Sequence, residues 1–374
     1  MGKKAIVAGH VVVDITPAFV NPPVSRYDAL FVPGNLVTVG PAHIQGGGCV
    51  SNTGLAMDFF GADVTLLGRV GDDAFGKILQ EQYQKAGVSV RWIVDAEVPT
   101  GYTIVISPVG LERMYLHNEG ANASLCNADF PEELWAQTDL FHFGYPPLLR
   151  HYYEDGGQEL IALFQHAKAH GIVTSMDTVM FDRSSAPARQ DWRRILLALM
   201  PFLDLFAPSL EELLLMMEPE KYERLHREAN GRDVLELVRF EEDVRPLAQA
   251  LLDAGVRVLL IKCGTRGLAL FTASASRLEP MREKLDLPDT WAECEFLQPA
   301  FVADRVCTTT GAGDTSIAAF LTALLQGMTP ERALRLAAGA GACCVTAYDS
   351  FSGLQSFAAM EDKMRSGWAT QPSL

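Results

Sequence analysis

No run in this chain of 374 residues reaches the ~18 uninterrupted apolar residues that a membrane span requires. Its best candidate, Ile195 to Phe206, is cut by Pro201 and Asp204. Cysteine is sparse. Cys49, Cys126, Cys263, Cys294, Cys307, Cys343 and Cys344 are scattered, and no two stand as C-x-x-C. That spacing excludes a zinc knuckle and a disulfide framework and points to a reducing cytoplasm. Positive charge is short as well, with 31 Lys and Arg against 46 Asp and Glu, a net −15. Such a balance excludes nucleic acid or an anionic membrane surface as the main partner. Eight histidines show no metal-ligand spacing, so zinc is not expected. There is no Gly-x-x-x-x-Gly-Lys-Ser/Thr, which excludes a Walker-type ATPase. Nor is any strand followed directly by Gly-x-Gly-x-x-Gly, which argues against a dinucleotide-binding dehydrogenase. Lys3 and Lys4 precede an apolar run, but His10 and Asp14 interrupt it and no cleavage pattern follows, so it is read as a strand and not a leader.

What is present suits a large core. Hydrophobic residues make up 48% and charged ones 21%. Short apolar runs alternate with helical patterns, the mark of βα units and a mainly parallel sheet. The buried strands are placed at Ala5–Val13, Val64–Val70, Leu140–Phe143, Ile172–Asp177, Leu203–Ala207 and Val256–Lys262. Helices over Asn52–Phe60 and Phe75–Ala86, and one before Ile172, stop at Gly61, Gly87 and Gly171. A helix over Thr315–Gln326 stops at Gly327, and Thr329-Pro330-Glu331 opens another with Pro at its first position.

Two regions break the rhythm. Residues about 15–45 and about 90–120 read as short strands and turns (Leu36-Val37-Thr38-Val39; Tyr102-Thr103-Ile104-Val105-Ile106), suited to pairing as a small β-lid. Residues 218–243 hold 14 charged residues among 26 and read as a solvated helical insertion.

The sharpest chemical signal is Thr309-Thr310-Gly311-Ala312-Gly313-Asp314, placed directly before a helix. Small residues let backbone N–H groups converge at a helix N-terminus, which makes an anion cradle. A carboxylate at its mouth has a use if it accepts a proton from an attacking hydroxyl. A second glycine run, Gly46-Gly47-Gly48, precedes Val50-Ser51-Asn52, where a polar ligand gains close access to the main chain. It is followed by Gly61-Ala62-Asp63 and by Leu67-Gly68-Arg69-Val70-Gly71-Asp72-Asp73-Ala74-Phe75-Gly76.

Together these stretches, Gly46–Gly76 and Thr309–Phe320, resemble the two signatures of the ribokinase-like, PfkB-type carbohydrate kinases. The resemblance covers nearly the whole chain and implies one kinase domain over 1–374, with a central mainly parallel sheet flanked by helices and a small β-lid. It implies Asp314 as catalytic base and Gly311, Ala312 and Gly313 as the anion hole. It further implies Asp14, Gly47, Gly48 and Asn52 as sugar contacts. Arg113, in the lid region beside His117, is taken as a further substrate contact. Ser209, Lys262, Gly264, Thr265, Gly267 and Thr310 resemble the nucleotide-binding positions. Glu212 resembles the glutamate that organises magnesium through water. The small-residue stretch Ala337–Ala342 serves either adenine contact or close helix packing.

Three positions depart from the family pattern. Thr308 stands where an Asp usually precedes the second signature, with Cys307 beside it. Ser209 replaces the Asn of Asn-x-x-Glu. Asp177 lacks its usual close Asn and Arg, and Arg183 follows only after a longer gap. These bear on nucleotide choice, metal affinity and activation by a monovalent cation such as K+. The implied reaction is ATP- and Mg2+-dependent phosphorylation of a sugar hydroxyl by a cytoplasmic homodimer joined through the lid. The alternatives are a nucleoside kinase, marked by base-stacking lid aromatics for which Phe19, Phe31 and Tyr102 are candidates, and a non-catalytic sugar- or nucleotide-sensing relative.

Overall fold

The apolar run from Ala5 to Val13, expected as one strand, is two strands in two sheets. In the computed structural model, which describes residues 2–111 and 113–372, the first strand ends at Gly9. Gly9 has φ +124°, and a Cβ there would lie 2.3 Å from the Gly144 carbonyl oxygen. Only glycine turns the chain at this crowded point. His10 and Val11 bridge the break, and Val12 starts the second strand.

In chain order the strands are β1 (Lys4–Gly9), β2 (Val12–Phe19), β3 (Val39–Gly47), β4 (Asp63–Gly71), β5 (Ser89–Asp95), β6 (Tyr102–Ile106) and β7 (Met114–Asn118). Then follow β8 (Leu140–Gly144), β9 (Val173–Met176), β10 (Leu205–Phe206), β11 (Val258–Lys262), β12 (Leu268–Thr272) and β13 (Glu295–Gln298). The large sheet runs β13-β12-β11-β10-β9-β8-β1-β4-β5. It is parallel from β11 to β5, with Ala5 opposite Leu140 on one side and Val64 on the other. At the other edge β12 and β13 are antiparallel. The second sheet, β3-β2-β6-β7, is the lid.

Near-continuous burial of β1, β8, β9 and β11 follows from helices on both faces, as parallel strands require. The helices that matter for the site are α1 (Gly48–Phe59), α2 (Ala74–Ala86), α3 (Gln158–Ala169), α4 (Leu210–Met217), α5 (Ala312–Leu325) and α6 (Pro330–Cys344). Asp73 caps α2 by accepting from the Gly76 N–H, and Gly87 ends it in the left-handed region. From Asp314 to Leu325, α5 is buried, packed between α1 and α6. Gly341 of α6 permits that approach, because a Cβ there would meet Ser316 Oγ at 2.6 Å. Helix packing therefore accounts for this part of the Ala337–Ala342 stretch.

Some elements differ from the sequence reading. Leu36–Thr38 are not in a strand; β3 begins at Val39 and runs into the glycine cluster. The stretch at about 90–120 divides, β5 pairing with β4 in the large sheet while β6 and β7 join the lid. The charged segment 218–243 is less solvated than its charge suggests. Its helix Pro219–Ala229 buries Tyr222, Leu225 and Ala229, and Val234, Leu235 and Val238 follow them into the core.

Candidate active site

Parallel sheets present ligands with residues that leave the carboxyl ends of their strands. Here those residues are His10 after β1, Tyr145 after β8, Asp177 after β9, Ala207 after β10 and Lys262 at the end of β11. The strands are neighbours, so the five residues line one edge of the sheet. Over that edge stand the N-termini of α1 and α5.

Asp314 lies in the first turn of α5 and is 5% exposed. Its Oδ2 accepts a hydrogen bond from Asn52 Nδ2 of α1 at 2.9 Å. The hydroxyl of Tyr145 donates to the same carboxylate, 2.7 Å from Oδ1 and 2.8 Å from Oδ2. Burial raises the pKa of Asp314 above the usual carboxylate value. The Tyr145 and Asn52 hydrogen bonds and the Lys262 ammonium oppose that rise, and Glu212 adds to it. The two glycine signatures, distant in sequence, thus meet at one carboxylate.

Gly311, with φ +77°, is the N-cap of α5, and no side chain caps this terminus. A Cβ on Gly311 would lie 2.2 Å from Ser350 Oγ, so the cradle has no room for a larger residue. A Cβ on Gly313 would sit 3.4 Å from Lys262 Cε and 3.8 Å from its Nζ. The cradle therefore combines a helix N-terminus without a side-chain cap and a nearby ammonium, which itself donates to the Ala207 carbonyl at 2.7 Å.

On the lid side, Asp14 occupies the middle of β2, opposite Gln45 of β3 and Thr103 of β6. Gly47 is required by space, since a Cβ would fall 2.2 Å from Asp14 Oδ2. Gly48 has φ +80° and abuts His10, whose Nδ1 would be 2.6 Å from a Cβ. Burial pushes the Asp14 carboxyl up to about 7, with Thr103 opposing by hydrogen bond and Asp314 reinforcing by charge. His10 is buried and held neutral, its pKa lowered by burial and then by His117. The His10 ring lies 5.1 Å from that of His117 and 5.8 Å from that of Tyr145.

Arg113 immediately precedes β7 of the lid. From the lid its guanidinium donates to the hydroxyls of Thr308, Thr309 and Thr310, tying lid to cradle. Ser209 and Glu212 form a capping box at the start of α4. Ser209 Oγ accepts from the Glu212 N–H at 3.2 Å, and Glu212 Oε2 accepts from the Ser209 N–H at 2.8 Å. Thr178 donates to that same Oε2 at 2.8 Å, which leaves Oε1 for other work. Gly264 and Thr265 form the exposed turn after β11, and Gly267, at φ +99°, closes it against the Gln298 carbonyl. Arg183 pairs instead with Glu223 at the surface.

Sequence reasoning assigned no role to Tyr145, His10 or His142. Tyr145 carries one local signal only in three dimensions: φ 64° and ψ 42°, a left-handed conformation rare for a bulky residue and common at functional sites. Asp177 is buried, and no side chain among the described residues donates a hydrogen bond to either carboxylate oxygen, although the Tyr145 main-chain N–H lies close enough to favour its charge. Burial raises its pKa, and the Lys262 charge opposes the rise. His142 Nε2 lies 3.7 Å from Asp177 Oδ1, and burial lowers its ring to about 3.

This architecture is the ribokinase-like fold. The chain superposes on the structure of Arabidopsis thaliana ribokinase complexed with ribose and ATP with a TM-score of 0.67, at 22% identity over 97% of this chain and 98% of that one. In sequence, residues 8–355 match the pfkB family carbohydrate kinases. An uncharacterized sugar kinase from Archaeoglobus fulgidus is 24% identical over 303 residues, 80% of this chain and 98% of that one. A 2-dehydro-3-deoxygluconokinase from Thermoproteus tenax is 26% identical over 324 residues, 83% of this chain and 84% of that one. The chain belongs to the pfkB family of carbohydrate kinases, phosphotransferases whose acceptor is an alcohol group.

Proposed function

We propose that this kinase transfers the γ-phosphoryl group of ATP to a sugar hydroxyl, with Asp314 as the general base. The observation that carries the reading is the 2.9 Å hydrogen bond from Asn52 to Asp314, which joins the sugar-side signature to the anion cradle. Burial brings the Asp314 carboxyl closer to working pH, where a base is most effective. Asn52 and Tyr145 fix its orientation. Asp314 takes the hydroxyl proton as the oxygen attacks phosphorus, and the Gly311–Gly313 amides receive the charge on the transferred group. Thr310, Ser209, Lys262, Gly264, Thr265 and Gly267 lie along the nucleotide side.

The sugar lies between lid and sheet. Asp14 and Asn52 Oδ1 accept from its hydroxyls, and Gly47 and Gly48 let it reach the main chain. His10, with neither ring nitrogen bonded among the described residues, adds a donor and an acceptor. Oxygen donors suit Mg2+, and the Asp177 carboxylate, free of side-chain hydrogen bonds among the described residues, and the remaining Glu212 oxygen fit it, directly or through water. When bound, Mg2+ supplies positive charge against the phosphate oxygens.

A nucleoside acceptor would want an aromatic free to stack on its base. Phe19 packs edge-on against Phe31, and Tyr102 lies against Phe75, so each candidate already has a ring partner. The lid carries exposed Leu36, Ile44, Tyr115 and Leu116 on β3, β7 and the adjoining loop. A second copy covering them gives the homodimer, which sedimentation at micromolar concentration tests; a monomer contradicts it. No helix among the described residues is long and apolar enough to cross a membrane. The function is tested by coupled ADP release over pentoses, ketohexoses, keto-deoxy acids and nucleosides, run in potassium and in sodium. Turnover with a sugar supports the reading. Turnover with nucleosides alone, or with nothing, contradicts it.

A further inference from the structure

At the other edge of the sheet, far from the residues that leave the strands' carboxyl ends, α3 runs down to Gly171 and into the start of β9. His166 and His170 stand one turn apart at this end of α3, a helical i, i+4 pair that the reading of histidine spacing passes over. Facing them is Glu132, first residue of the short helix Glu132–Trp135. Glu132 Oε1 lies 2.9 Å from His166 Nε2, and Oε2 lies 3.2 Å from His170 Nε2. The donor atoms of the three side chains all fall within 4.8 Å of one another.

A hydrogen bond orients the His170 ring. Its Nδ1 is 3.0 Å from the His166 carbonyl oxygen, which only accepts, so Nδ1 carries the proton. Nε2 faces Glu132 Oε2, where the proton of an ion pair and a bound cation compete for the same place. A ring N–H donated to a main-chain carbonyl is also what holds metal-ligating histidines in place. Zinc bonds of about 2.0–2.1 Å place tetrahedral donors about 3.3 Å apart, and the carboxylate oxygens stand 2.9 and 3.2 Å from the two ring nitrogens. His166 and His170 side chains are 42% and 32% exposed, so water reaches a fourth position.

We propose that Glu132, His166 and His170 form a zinc-class divalent metal site, separate from phosphoryl transfer, that pins the short helix onto α3. Two imidazoles and a carboxylate suit borderline cations rather than Mg2+ or Ca2+. Buried Trp135 lies beneath, its ring 5.7 Å from that of His166 and 6.4 Å from that of His170, and so reports occupancy.

The test uses the full chain, dialysed against chelator and titrated with Zn2+ by calorimetry and with Co2+ by visible absorption and tryptophan quenching. One equivalent is expected to bind, with tetrahedral Co2+ bands and a higher thermal midpoint. In the double variant His166→Ala/His170→Ala, affinity falls by about tenfold or more and the thermal gain disappears, while ADP release without added zinc is unchanged. Glu132→Gln, which keeps both imidazoles, weakens binding in the same direction and decides the matter if the double variant folds poorly. Identical Zn2+ isotherms for wild type and variants overturn the proposal. So does a wild type that takes up no metal, leaving a proton-dependent ion pair only.

Discussion

The Tyr145 hydroxyl, held in a left-handed turn at the end of β8, donates across to both carboxylate oxygens of Asp314 at 2.7 and 2.8 Å. Because this bond stabilises the ionised carboxylate, it offsets part of the rise that burial causes. Tyr145→Phe removes the bond and leaves the ring. The Asp314 pKa then rises further, so the acid limb of the kcat/KM profile moves to higher pH. Profiles for the two proteins that superimpose would show that Tyr145 does not tune the base.

Asp14 is expected to bind sugar as an anion although burial holds it near 7. Sugar binding therefore tightens as pH rises through about 7, with release of a proton, which calorimetry in buffers of different ionisation enthalpy detects. For the sugar-free protein the sign is opposite. The contribution of Asp14 to stability is fully present below the ordinary carboxylate value of 3.8 and is lost as pH rises through about 7. Asp14→Asn lacks that loss, so its stability relative to wild type improves across this window. Asp14→Ala is expected to weaken sugar binding by about 1.5–3 kcal/mol, the usual size for a hydrogen bond to a charged group, with ATP affinity little changed. Unaltered sugar affinity would remove Asp14 from the site.

Glu212 has one oxygen committed to the capping box and Thr178. Glu212→Gln retains an acceptor for that box and removes the charge, so α4 should stay intact. The rate is then expected to need more magnesium for half-saturation, with sugar KM near normal. Magnesium curves that coincide would assign Glu212 to capping alone.

Much of this site was legible in the chain. Glycines at 47, 48 and 311 mark places where a Cβ would collide with a neighbour, and such constraints leave a trace in sequence. The alternation of strand and helix gave the parallel sheet for the same local reason. Tyr145, His10 and His142 left no trace, because their roles depend on strand ends that neighbour one another only once the sheet has formed. The position of Arg113 in the lid was legible, but its contacts with Thr308–Thr310 were not, because they join segments far apart in the chain. The break at Gly9 was hidden by an unbroken apolar run, since both β1 and the start of β2 are buried.

The account rests on Asp314 as the proton acceptor, and the direct test is turnover and ATP affinity measured on the same folded Asp314→Asn protein. Asparagine keeps the shape and can still meet Tyr145 and Asn52, so the fold and nucleotide binding should persist. It cannot take the hydroxyl proton, and turnover is expected to fall by about 10²–10⁴-fold, the usual contribution of a general base. ATP affinity is expected to hold or tighten slightly with the loss of a negative charge beside the cradle. Turnover within about threefold of wild type, far below that range, would contradict the mechanism.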